Sequence, residues 1–265
     1  MGSEIINIGP QQLAMGFVFI LIAGGASIYH SLHLERDMLI GAIRTFVQLF
    51  LLGYLLKTVF AINNVWLVLL IFAAMAFFAA QTVYGRIKEK QISFFLPVSV
   101  SMNISFFIVA FIVTAVVIRA DPWWNPRYFI PLGGMVIGNS MNAVAIALER
   151  LLNDLRTKQQ EIEMKLCLGA DYKEASREIV GNAMKSGMIP SINSMMAAGI
   201  VFIPGMMTGQ IIAGADPGLA IKYQIVVMLM LVGSTTLSTL FVVLIVRKLC
   251  FGAGHQLLLR PRDAE

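Results

Sequence analysis

Charged residues are scarce in this chain of 265 residues, since 13% are Asp, Glu, Lys or Arg whereas 58% are hydrophobic. An ordinary soluble domain has about twice that charge, so this surface cannot all face water. Cysteine is also rare. Cys167 and Cys250 give neither a zinc-binding spacing nor a disulfide framework. The composition therefore predicts a polytopic membrane protein and argues against metal-thiolate and redox chemistry.

Two further absences exclude classes of function. The net charge is +5, but Lys and Arg are scattered among apolar runs and form no basic stripe with interleaved aromatic residues, so we expect no nucleic-acid partner. The sequence also contains no G-x-x-x-x-G-K-[ST] phosphate loop, so it cannot hydrolyse ATP by that chemistry. We therefore predict no catalytic residue and no enzyme activity for this chain.

Seven apolar runs are long enough to cross a bilayer, which takes about 20 residues each. We place them near residues 11–30, 40–61, 65–84, 94–118, 128–148, 186–212 and 219–246. The segment before the first run has an acid and no base, which predicts a retained helix rather than a cleaved signal peptide. The predicted fold class is all-α, with about seven transmembrane helices in a single domain, residues 1–265.

The basic residues predict the orientation of these spans. Sixteen of the twenty Lys and Arg residues would lie on one side of a seven-span protein. Those on the other side are Lys57, Arg119, Arg127 and Lys222. Because Lys and Arg collect in cytoplasmic loops, we expect the N-terminus outside and the C-terminus inside.

One long polar connection, residues 148–185, would then be cytoplasmic. Glu, Leu, Lys and Arg at helical spacing predict a helix, a turn at Gly169-Ala170-Asp171 and a second helix. Asp171 can cap the second helix, with Glu174 as its partner in a capping box. Two interpretations stay open: a rigid helix that contacts another protein, or a solvated connection between spans.

Polar side chains and methionines in the fifth and sixth runs predict a substrate route. Met135, Asn139 and Asn142 share one helical face. Side-chain amides within a membrane span should point inward, away from lipid. Packing between helices would explain the same residues, because Met is a flexible filler and Asn bonds across helices. Thioethers suit copper(I) better than iron(II), so the metal ligands are unknown. The candidate route residues are Met135, Asn139, Asn142, Ser191, Met195, Met206 and Met207.

Proline and glycine predict a helix break and close helix packing in the same region. Pro204 followed by Gly205 should break the sixth span and free backbone carbonyls, which are tolerated only beside protein or water. Two G-x-x-x-G spacings, Gly134 to Gly138 and Gly205 to Gly209, predict close contact between helices.

Several segments resemble known transport proteins. Glu163, Leu166 and Gly169 resemble the E-A-A-x-x-x-G loop of ABC-transporter permeases, with Met164 and Lys165 in place of the alanines. Four longer segments are similar to the FetB-like family, the membrane half of a bacterial ABC iron exporter with plant relatives linked to aluminium tolerance. They are "IPLGGMVIGNSMNAVAIAL", "QQEIEMKLCLGAD", "IPGMMTGQIIAGADPGLAIKYQI" and "STTLSTL". The similarity runs from about residue 35 to residue 258.

The resemblance implies a permease that exports iron or a related metal ion. It would work as a homodimer in the bacterial inner membrane with two copies of a separate cytoplasmic ATPase, which would bind ATP and Mg while this chain binds no cofactor. The residues implied to contact the ATPase are Glu163, Leu166, Leu168, Gly169, Ala170 and Asp171. Alternatives are an ABC permease for a small organic solute such as a nucleotide sugar, a secondary carrier or a membrane scaffold. The predicted spans lack a central Asp or Glu, which weakens the carrier alternative.

Overall fold

The computed structural model describes residues 8–87, 94–252 and 254–259. Within these ranges the secondary structure is helical, and the β-type pairings are two isolated bridges, Ala198 with Phe202 and Phe251 with Leu257. The predicted all-α fold class is confirmed for the described part of the chain.

Eleven α-helices follow one another along the described residues. They are α1 (Pro10–Met15), α2 (Phe17–Tyr29), α3 (Glu35–Ile62), α4 (Val65–Arg86), α5 (Phe95–Phe111), α6 (Pro126–Thr157), α7 (Gln159–Cys167), α8 (Tyr172–Ala175), α9 (Arg177–Ala197), α10 (Gly205–Ile212) and α11 (Pro217–Leu249). The end of α5 continues as a π-helical segment, Ile112–Val117. Side-chain caps begin α4 and α11, where Asn64 and Asp216 accept backbone N–H bonds of 2.8 and 2.9 Å.

The chain divides into two compact units, and the first consists of residues up to Asn63 together with Ile212–Gly214. In it α2 packs on α3, with the rings of Phe17 and Phe46 4.9 Å apart. Ser27 closes the turn between these helices, because its hydroxyl donates to Glu35 and accepts the N–H of Leu34, both at 3.0 Å. Apart from Ser27 and Val59 no residue of α2 or α3 is buried, and most are exposed, as expected of helices that face lipid or protein.

The second unit is built around α6, which packs against α4, α5, α9 and α11. Phe72 of α4 and Phe129 of α6 are buried, and their ring centroids lie 5.2 Å apart. A Cβ on Gly133 would lie 2.7 Å from the Phe72 ring, so α4 and α6 can approach only because this residue has no side chain.

α6 and α9 approach each other closely. A Cβ on Gly187 would lie 2.5 Å from the carbonyl oxygen of Ala143 and 2.9 Å from Cβ of Ala147. Lys158, just after α6, lies 4.0 Å from Glu178 at the start of α9, and further along Gly187 meets Ala143, so the two helices are antiparallel. Gly187 therefore fixes the register, because only glycine allows this backbone contact.

Six helices among the described residues are long and apolar enough to cross a membrane. They are Pro10–Tyr29, Glu35–Ile62, Val65–Arg86, Phe95–Val117, Pro126–Thr157 and Pro217–Leu249. The predicted polytopic architecture is therefore supported, and the chain is an integral membrane protein.

The predicted span at residues 186–212 is not among these six candidate membrane helices. α9 begins at Arg177 and ends at Ala197, a non-helical stretch follows, and α10 begins at Gly205. The interruption includes Pro204, as predicted, but it starts directly after Ala197. The apolar window missed the first turns of α9 because these turns carry polar residues, and hydropathy does not detect a helix of mixed polarity.

The predicted cytoplasmic loop, residues 148–185, includes the last turns of α6 and the first turns of α9. α6 stays helical to Thr157 with Leu151 and Leu155 fully buried, and α9 begins at Arg177. The segment between these two helices is thus residues 158–176. Both helices extend beyond the apolar runs of the sequence, because one stripe of each helix still packs against neighbouring helices there.

Candidate functional site

The polar connection contains the predicted helix, turn and helix. α7 ends in a Schellman motif, in which Gly169 N–H donates to the Leu166 carbonyl at 3.0 Å and Ala170 N–H donates to the Lys165 carbonyl at 3.1 Å. Gly169 has φ +94°, a conformation that side chains with a Cβ rarely adopt. We call residues Leu168–Asp171 the coupling turn, after the role that the resemblance predicts for them.

Asp171 caps α8 as predicted. Its carboxylate accepts the Glu174 N–H at 2.7 Å, and the Glu174 carboxylate accepts the Asp171 N–H at 3.2 Å. This reciprocal pair is the capping box. With the Schellman motif before it, the capping box holds the coupling turn in one conformation.

Apolar side chains project from the end of α7. Leu168 is 81% exposed and Met164 is 57% exposed, one helical turn apart, and Cys167 is also exposed. Glu163 is exposed nearby and accepts a bond from Gln159 at 2.7 Å, whereas Leu166 and Ala170 are half-buried. An apolar tip on an otherwise polar connection is typical of a protein contact site.

Two ion pairs order the connection around this tip. Lys165 bonds Glu161 at 2.6 Å within α7, and the hydrogen bond and positive charge of Lys165 lower the pKa of the Glu161 carboxyl. Lys158 lies 4.0 Å from Glu178 of α9. The first pair lies within α7, and the second joins the start of the connection to α9.

The predicted route residues of α6 lie on its exposed surface rather than inside one chain. Asn139 and Asn142 are exposed and Met135 is half-buried, and these three residues share one stripe. The amide nitrogen of Asn139 donates to the carbonyl of Met135 at 3.0 Å. The stripe is therefore polar at the middle of a predicted membrane span.

The route residues of α9 lie level with those of α6. Gly187 contacts Ala143 in the antiparallel pair, so one turn further Ser191 comes level with Asn139 and Met195 with Met135. Both α9 residues are half-buried. A further polar residue of α9, Ser194, is exposed three positions after Ser191 on the same side of the helix. We call Met135, Asn139, Asn142, Ser191 and Ser194 the α6–α9 polar face.

The break before α10 ends at the first turn of that helix. The Pro204 carbonyl accepts both the N–H and the hydroxyl of Thr208, at 3.0 and 3.1 Å. Gly199, with φ +84°, donates to the Phe202 carbonyl at 2.9 Å. Two predicted route residues, Met206 and Met207, are half-buried on α10 after this break.

The G-x-x-x-G glycines make few contacts within the described part of the chain. A Cβ on Gly134 would meet the Met75 methyl at 3.1 Å, whereas one on Gly138, Gly205 or Gly209 would meet nothing within 4 Å. Close packing inside one chain therefore occurs at Gly133 and Gly187, which the spacing did not indicate. Contacts of the other glycines with a second chain stay a prediction.

A buried row of hydroxyl groups on α11 was also missed. Ser140 of α6 bonds Ser234 of α11 at 3.2 Å in the interior. The other buried members of the row are Thr235, Ser238 and Thr239. Their spacing in "STTLSTL" places them on one helical face, a signal that periodicity alone could have detected.

The structure gives no ready metal centre among the residues it describes, where no group of three or more His, Cys, Asp or Glu side chains comes together. One cavity of about 540 Å³ lies within the first unit along α3, between Thr45 and Lys57. It contains no predicted route residue.

Comparison with known proteins agrees with the motifs. Residues 10–251 match the uncharacterised protein family UPF0014. The chain is 38% identical to a UPF0014 membrane protein of Synechocystis over 87% of this chain and 89% of that protein. It is 33% identical to the "Probable iron export permease protein FetB" of Escherichia coli over 95% of each chain. It is 31% identical to the protein ALUMINUM SENSITIVE 3 of Arabidopsis thaliana over 88% of this chain and 84% of that protein. No solved structure matches.

Proposed function

Because the chain belongs to the UPF0014 family, we propose that it is the membrane permease subunit of an ABC transporter that exports iron or a related metal ion. A separate cytoplasmic subunit, present in two copies, binds ATP and Mg and supplies the energy. The permease works as a homodimer in the bacterial inner membrane. The similarity to the bacterial iron export permease over 95% of both chains supports this role.

The structural observation that carries the proposal is the α6–α9 polar face. Lipid cannot hydrogen-bond the exposed amides of Asn139 and Asn142, so this face must meet water or protein. A second copy that presents the same face encloses a polar route between the two chains. One chain is then half of a pathway.

The side chains along this route suit a metal ion in transit. Thioethers and amides are weak ligands compared with carboxylates and thiolates, and conduction requires an ion to leave as readily as it binds. The coupling turn provides the second functional surface, because its exposed Leu168 can enter a groove of the ATPase subunit.

α9 serves as a seventh crossing in this architecture. Tyr172, before α9, contacts Phe251, after α11, so the start of α9 and the end of α11 lie at the same end of the unit. α9 must therefore carry the chain to the opposite end, where α11 begins. Its 21 residues span about 32 Å, close to the thickness of a hydrocarbon core.

Cysteine labelling tests this topology. In a Cys-free background, single cysteines at Asn63 and Trp123 should react with an impermeant maleimide added outside intact cells. Cysteines at Gln159 and His255 should react only after permeabilisation, because the basic residues place them inside. Labelling of position 159 from outside would contradict seven crossings.

The transport role is tested by purifying the chain with a candidate ATPase subunit in lipid vesicles. ATP hydrolysis should rise with iron(II) in a panel of metal ions, and the vesicles should move the ion only when both subunits and ATP are present. Transport that runs on an ion gradient without ATP would favour a secondary carrier. Stimulation by an organic solute alone would refute the metal assignment.

Variants of the route residues test where the ion passes. Asn139→Leu and Met207→Leu together should lower metal transport and metal-stimulated hydrolysis, with basal hydrolysis and expression nearly unchanged, because Met→Leu conserves volume. Asn103→Leu is the matched control, since the Asn103 amide makes the same bond to a carbonyl four residues earlier, at 2.7 Å, on α5. Full metal-dependent activity in the double variant would exclude this route.

A further inference from the structure

The chain folds back on itself after α11. Leu258 N–H donates to the Cys250 carbonyl at 2.8 Å, and Gly252 N–H donates to the Gln256 carbonyl at 2.9 Å. Cys250 and Leu259 are fully buried, so both ends of this segment are fixed in the interior. We call its described residues, 250–252 and 254–259, the C-terminal hairpin.

Tyr172 joins the C-terminal hairpin to the coupling turn. It is the first residue of α8, directly after Asp171. Its ring lies 5.6 Å from the ring of Phe251 and 5.3 Å from that of His255, and its N–H donates to Nδ1 of His255 at 3.4 Å. Residues 83 positions apart in the sequence thus meet beside the turn.

A cation of α11 completes the contact. The Arg247 guanidinium lies 5.6 Å from the centre of the Tyr172 ring, in the last turn of α11. A cation over an aromatic face is attractive, and it resists reorientation of the ring. Tyr172 is therefore held by the end of α11 and by the hairpin that follows it.

We propose that the C-terminal hairpin is a brace that holds the coupling turn in one orientation through Tyr172. Local bonds set the shape of the turn, but they do not set its direction relative to the membrane helices. The ring contacts connect α8 with α11 and set this direction together with the buried side chains of Ile162 and Ala175. The role of the brace in docking rests on the proposed function, because the brace fixes the surface that the ATPase subunit meets. Its role in holding the coupling turn does not depend on that function.

The test uses a nitroxide on Cys167, next to the turn. Cys167 is exposed, whereas Cys250 is buried and its burial raises the pKa of the thiol to about 12, so the label attaches at one position. We expect an immobilised spectrum from the full-length permease alone. Tyr172→Ala and His255→Ala should each lose the immobilised component, and Tyr172→Phe should keep it because the ring remains.

Affinity for the ATPase subunit is measured on the same variants without label. Tyr172→Ala and His255→Ala should bind roughly fivefold more weakly than the wild type, with Tyr172→Phe unchanged. Unchanged label mobility in both alanine variants, with monodisperse protein, would overturn the brace. Greater mobility at unchanged affinity would overturn its role in docking. If the wild type binds no ATPase subunit, the proposed function is wrong. The spectra of the labelled variants still show whether the hairpin holds the coupling turn.

Discussion

Gly187→Ala should lower the unfolding temperature of the permease more than any other single methyl addition on α9. The new Cβ would lie 2.5 Å from the carbonyl oxygen of Ala143, which belongs to the backbone and cannot rotate away. Overpacking of this kind costs about 1–3 kcal/mol in the free energy of unfolding. Thermal unfolding in detergent, followed by fluorescence and by size-exclusion chromatography, measures the loss.

Gly181→Ala on the same helix is the matched control. A Cβ there meets no atom within 4 Å, so the substitution should raise the free energy of unfolding by about 0.5–1 kcal/mol through helix propensity. Glycine to alanine should therefore lower the free energy of unfolding at position 187 and raise it at position 181, less than two turns away. Equal stability of the two variants would mean that α6 and α9 do not meet at Gly187.

Gly169→Val should uncouple ATP hydrolysis from transport while the permease still folds. Gly169 has φ +94°, and a β-branched residue held there is strained by about 1–3 kcal/mol. In the unbound variant the coupling turn would relax to another conformation. Binding to the ATPase subunit would have to restore the original conformation. Affinity for the ATPase subunit should fall roughly 5- to 150-fold, the equivalent of that strain.

Gly169→Asn distinguishes strain from the mere addition of a side chain. Asn adopts positive φ more readily than Val, so its loss of affinity should be smaller. Thermal stability should stay near the wild-type value in both variants, because position 169 is exposed and a Cβ there meets nothing within 4 Å. Wild-type coupled transport with Val at 169 would contradict the assignment of the coupling turn.

Several features of the fold follow from local sequence. Gly169 at the end of α7 and Asp171 three residues before Glu174 are short-range signals, and the structure contains the turn and the capping box that they predict. Apolar runs located six candidate membrane helices for the same reason, since a run of about 20 apolar residues has few alternatives to a spanning helix. The boundaries of α9 could not be predicted in this way, because its polar first turns hide the helix from any measure of hydropathy.

Composition and local pattern by themselves determined that this is an all-α membrane protein with one structured polar connection and that it lacks a phosphate loop. Tertiary structure alone decided which helix faces point outward and which distant parts of the chain meet. It placed Asn139 and Asn142 on the outside of the chain, Gly187 rather than the G-x-x-x-G glycines at the close contact, and His255 beside Tyr172. The physical reason is distance along the chain. Caps, turns and apolar runs depend on neighbours a few residues away, whereas these contacts join residues 44 and 83 positions apart and exist only after the helices have packed.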